Sequence, residues 1–125
     1  MRVAVSLALA LLPAVLIVLY IRRRDRLRPE PRRSVTGVFL LGILSTVPAI
    51  AVELLLNKFF EPLSKNRLLA PVIKSFLVAG IVEEGLKISV VMRFAFSREW
   101  FDEIMDGILF AVVAGMGFAC MENVL

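Results

Sequence analysis

The sequence predicts an all-α fold, a polytopic bundle of about four transmembrane helices with the N-terminus outside. Three observations carry this prediction. Apolar residues make up 59% of the 125, and mean hydropathy is +0.85, more than one soluble domain of this length needs. Those residues fall into long blocks separated by short charged clusters rather than into half-faces, which is the pattern of membrane spans. Seven of the eleven arginines lie between Arg22 and Arg33, behind the first block, and the positive-inside rule makes that link cytoplasmic. Composition also excludes several chemistries. Cys120 is the only cysteine, so no disulfide scaffold forms within the chain. There is no histidine, hence no catalytic or metal-ligating imidazole from these residues. The net charge of +4 is concentrated beside a span, where it sets topology and attracts anionic lipid, so the expected partners are membrane lipids and not nucleic acid.

The first block, residues 3–21, is an uncharged run of nineteen, close to the roughly 20 residues that cross a bilayer. Pro13 sits inside it and bends it. Only Arg2 precedes the run and no small-residue cleavage site follows, so it reads as an uncleaved span. Residues 1–34 thus form the first span with its basic cytoplasmic loop. Residues 35–67 form the second span, about 35–56, with an external polar link. Glu53 lies near the outer end of that span and is expected to snorkel to the interface without a functional role. The third span, about 68–96, is longer than a perpendicular crossing and is expected to tilt. Pro71 suits its first turn, Lys74 reads as a snorkeller near the outer interface, and Trp100 and Phe101 in the following link are suited to the headgroup level. The fourth block, 105–125, runs to the end of the chain.

The informative residues are charges inside these blocks. Glu83, Glu84 and Lys87 lie near the middle of the third span. At 100° per residue, Glu83 and Lys87 share a face one turn apart, and Glu84 with Lys87 is an i,i+3 pair. Three unpaired ionised residues at that depth would cost on the order of 8–10 kcal/mol, so they must be neutralised by one another, a proton, a metal or another helix. The fourth block adds Glu122, followed by Asn123. Gly107, Ala111, Gly115 and Ala119 form a small-residue stripe that admits a close helix neighbour, and Glu122 falls about 20° from it. Ala79, Gly80, Glu83 and Lys87 form a similar face on the third span. The expectation is that these two faces pack together and gather Glu83, Glu84 and Glu122 into one polar pocket.

Two segments resemble the motifs of a known family. Glu83-Glu84-Gly85-Leu86-Lys87 is similar to the EExxK motif of PrsW-type intramembrane proteases, relatives of the type II CAAX prenyl proteases. Phe118 to Asn123 is similar to their FxxxEN motif, and the segment ending in Asp106-Gly107 resembles the acidic entry to that helix. The resemblance covers residues 81–125 and makes 68–125 the PrsW-like core. It implies a membrane-embedded peptide hydrolase of the bacterial or archaeal plasma membrane, acting on membrane-anchored proteins such as anti-sigma factors. Glu83, Glu84, Glu122 and Asn123 would then be catalytic, with Lys87, Phe118 and Asp106 in support. Zinc or another divalent metal is the implied cofactor, with Glu84 and Glu122 as candidate ligands. The family pattern continues into helices bearing a histidine motif. The resemblance therefore implies the N-terminal portion of a longer protease, completed by further helices or by a second copy.

That chemistry is physically reasonable for these side chains. Peptide hydrolysis needs an activated water, a base and a donor for the developing oxyanion. Carboxylates withdrawn from bulk water serve as base, and an asparagine amide serves as donor. A divalent metal is an alternative activator, although carboxylates alone are a hard-cation set and zinc sites usually include His or Cys. Buried acids would also suit a proton- or cation-coupled carrier, or a non-catalytic subunit that binds a partner helix. A minimal carrier, however, requires one coupling acid, and no inverted repeat is visible.

Overall fold

The computed structural model describes residues 2–24, 30–60 and 69–125, and these are all helical or connecting, with no strand among them. Parts of two polar links expected from the hydropathy pattern, residues 25–29 of the arginine cluster and 61–68 of the external segment, lie outside the described residues, as do the side chains of Lys74 and Ala79. The helices are α1 (Arg2–Arg24), α2 (Arg32–Leu44), α3 (Thr46–Phe59), α4 (Leu69–Ile73), a π-helical stretch (Lys74–Glu83), α5 (Glu84–Phe94) and α6 (Ile104–Glu122). Among the described residues, two helical stretches are long and apolar enough to cross a membrane, Arg32–Phe59 (α2 and α3 together) and Ile104–Glu122. Leu12, Leu16, Leu19, Leu54, Leu55 and Phe59 turn outward, as a lipid-facing surface requires.

The expected second span is a helix broken at one residue. Pro48 has no amide hydrogen, so the carbonyl of Leu44 loses its i→i+4 donor and the helix yields there. The hydroxyls of Ser45 and Thr46 donate to the carbonyls of Gly42 and Ile43, each at 2.7 Å, and complete the turn around the break. The third span is likewise not one continuous α-helix. Its middle, Lys74–Glu83, is π-helical, and the α period resumes at Glu84. A π stretch changes which residues share a face and is common at functional sites. Gly80 meets nothing beyond its own stretch, the nearest atom to its missing Cβ being the carbonyl oxygen of Ser75.

Helix α6 is the centre of the bundle, flanked by α2, α1 and α5. Leu109, Phe110, Val113 and Ala114 on it are fully buried, against Val35 and Val38 of α2 and Val90 of α5. Gly42 of α2 meets Ala114, and Gly117 meets Phe39 and Ile43, so α2 and α6 are in close backbone contact. The predicted small-residue stripe is not that seam: nothing lies within 4 Å of where a Gly115 side chain would begin. Trp100 and Phe101 belong to the link between α5 and α6. They fold onto Phe110, with ring centroids 4.9 and 6.3 Å away.

Asp106 begins α6. Its Oδ2 accepts the backbone N–H groups of Asp102 at 2.9 Å and Glu103 at 2.8 Å, closing a capping box. It stands sixteen residues from Glu122, about 24 Å along the helix, so its observed work is to start α6. Asp106→Ala should destabilise the protein by about 1 kcal/mol. It should lower the unfolding temperature in detergent while leaving the specific activity of the folded fraction unchanged. A loss of activity at unchanged stability would return Asp106 to the site.

Candidate active site

The acidic motif sits where the π-helical stretch hands over to α5. Glu83 is the last residue of one and Glu84 the first of the other, so the two carboxylates diverge although adjacent in sequence. Lys87 lies one turn on and reaches both, with Nζ 2.8 Å from Glu84 Oε1 and 3.5 Å from Glu83 Oε2. The expected pairing is thus observed. The surroundings differ, because the Lys87 and Glu83 side chains are only 18% and 22% exposed while that of Glu84 is 61% exposed. Lys87 also stands over the Phe118 ring, 4.4 Å from its centroid, a cation–π contact that ties α5 to α6.

Two cavities lie on either side of this cluster. One, of about 200 Å³, is lined by Glu83, Glu122 and Phe118 together with Thr46, Ala49, Ile50 and Glu53 of α3. The other, of about 410 Å³, runs between α5 and α6, past Glu84, Lys87, Ile88, Ala111, Gly115 and Ala119. Glu83 and Glu122 therefore share a cavity, as expected from their spans. Glu84 does not join them: it faces the second cavity, with Lys87 between. Glu122 itself ends α6 at the exposed mouth of the first cavity, rather than deep in the bundle as its sequence position suggests. Asn123 caps the helix through its backbone N–H, which donates to the Ala119 carbonyl at 3.0 Å, and its side chain is exposed beside Glu122.

Glu53 is the residue that sequence reasoning passes over. It does not project away from the bundle but lines the cavity of Glu83 and Glu122. The signal that finds it is spacing: Thr46, Ala49, Ile50 and Glu53 recur at i, i+3, i+4 and i+7 on one helical face. That face lines the cavity at the end of α6, a geometry hydropathy does not reveal.

These positions bear on a metal. Glu84 and Glu122, the candidate ligand pair, open into different cavities. Among the described residues, no three Asp, Glu, Cys or His side chains converge closely enough to hold an ion. The described residues therefore do not by themselves fit a zinc centre, which typically has at least three protein ligands.

Comparison with known proteins agrees with the motifs. Residues 30–125 match the family described as PrsW family intramembrane metalloprotease. The chain is 36% identical over 119 residues to Protease PrsW of Clostridioides difficile strain 630, covering 94% of this chain and 48% of that protein. It is 31% identical over 113 residues to Protease PrsW of Geobacillus kaustophilus, covering 90% and 48%, and 30% identical over 113 residues to Protease PrsW of Bacillus subtilis strain 168, covering 90% and 49%. No solved structure matches the chain. It spans about half the length of these curated relatives. With a family match across most of its length and both acidic motifs in order on adjoining helices, the chain belongs to the PrsW family of intramembrane metalloproteases.

Proposed function

We propose that these residues supply the catalytic carboxylates of an intramembrane endopeptidase that hydrolyses peptide bonds of membrane-anchored proteins in a bacterial plasma membrane. One observation carries the reading: Glu83 from the third span and Glu122 from the fourth line the same cavity, beside an ammonium that holds Glu83.

In this reading Glu83 accepts a proton from a water as its oxygen attacks the scissile carbonyl. The carbon–nitrogen bond then breaks, and the leaving nitrogen recovers a proton from Glu83 or by way of Glu122. Lys87 offsets the charge of the acidic pair and, through Phe118, fixes α5 against α6. Glu84 keeps Lys87 in place from the other side. The Asn123 amide, at the cavity mouth beside Glu122, is assigned to the oxyanion. A membrane-anchored substrate is supported by the place of Glu122 at the end of an apolar helix long enough to cross a membrane, which a soluble protein would not readily reach.

The test is reconstitution. The complete gene product, purified into liposomes with a single-span reporter protein, should release reporter fragments identifiable by mass spectrometry. An intact reporter together with proton movement driven by a cation gradient would replace the protease with a carrier.

A further inference from the structure

The first cavity has a wall that the PrsW-like motifs do not account for. It is the α3 face of Thr46, Ala49, Ile50 and Glu53, which lines the cavity at the end of α6. Of its two polar members, Thr46 already spends its hydroxyl hydrogen on the Ile43 carbonyl at 2.7 Å. Glu53 is left as the acid of that wall. The described residues lining the cavity include three carboxylates, Glu53, Glu83 and Glu122, and no cation. Lys87 meets Glu83 from outside, and it lies nearer to Glu84. Glu122 is thus faced by Glu83 from the π-helical stretch and by Glu53 from α3. Like charges that share one recess repel, so the place of one carboxylate constrains where the next can lie.

We propose that Glu53 is a positioning residue of the reaction site, orienting Glu122 at the mouth of the cavity the two share. This rests on the proteolytic reading above. It differs from a snorkelling glutamate, which would sit at the headgroups and leave Glu122 unaffected.

The experiment uses the complete gene product in liposomes and has two arms. In a Cys120→Ser background, cysteines at positions 53 and 122 should be joined by a short bis-maleimide, and failure to join them overturns the proposal. In the second arm, Glu53→Gln should lower kcat by about 10-fold or more with KM unchanged within about twofold, and Glu53→Asp should recover part of the loss. Wild-type kcat in Glu53→Gln overturns the proposal. So does a loss that merely follows a reduced amount of folded protein and is not recovered by Glu53→Asp. Glu122→Gln is the reference: if it also cleaves at the wild-type rate, Glu122 leaves the site and the proposal falls with it, whereas a wild-type protein that leaves the reporter intact overturns the proteolytic reading itself. If Glu122→Gln is inactive while Glu53→Gln is fully active, only the role of Glu53 is lost.

Discussion

Glu83→Gln and Glu122→Gln should each reduce cleavage of a membrane-anchored reporter by about 10²- to 10⁴-fold, the range that positioned acid–base groups contribute. Glutamine keeps nearly the shape of glutamate and removes the ability to accept a proton, so packing around the cavity should survive. Neither side chain is a packing element of the core: Glu83 is partly exposed and Glu122 is at the cavity mouth. The fall should therefore appear in kcat, with unfolding temperature and expression close to wild type. The double variant should be barely worse than either single one, because groups that act in one step are strongly non-additive. A single variant that cleaves at the wild-type rate would remove that residue from the site. A double loss equal to the product of the singles would mean that the two carboxylates act independently, and the shared cavity would have no mechanistic meaning.

Much of this site is legible in the sequence because membrane burial makes charge conspicuous. Glu83, Glu84, Lys87 and Glu122 stand out against apolar neighbours at a cost of several kcal/mol for each unpaired charge, and short-range helix geometry yields the Lys87 pairing directly. Longer-range geometry is less accessible. A ten-residue π-helical stretch ahead of Glu83 has no signature in hydropathy, yet it decides which way that face turns and helps to separate Glu83 from Glu84. The helix interruption at Ser45 is foreshadowed by Pro48, but only the folded chain reveals that Glu53 lines the cavity. The choice of close-packed seam is equally ambiguous. Small residues on α6 occur on two faces, and a stripe of glycine and alanine does not say which face meets another helix.

That ambiguity yields the second large effect, a contrast between two glycines two residues apart on α6. A Cβ at Gly117 would collide with the carbonyl of Phe39 and crowd the backbone nitrogen of Ile43, so the obstacle is main chain and cannot rotate away. Even Gly117→Ala must push α2 and α6 apart, and Gly117→Val should destabilise by about 3 kcal/mol, the upper part of the usual overpacking range. Because Phe118 and Glu122 follow on the same helix, separation at Gly117 also moves them relative to Lys87 and Glu83. Cleavage should therefore fall further than the folded fraction does. Gly115→Ala meets open space and replaces glycine with the best helix former, so it should be neutral or stabilising by up to about 1 kcal/mol. Thermal unfolding and protease resistance in detergent measure both. If the two alanine variants unfold at the same temperature, α2 and α6 are not in contact through Gly117, and the arrangement that directs α3 toward the acids loses its support.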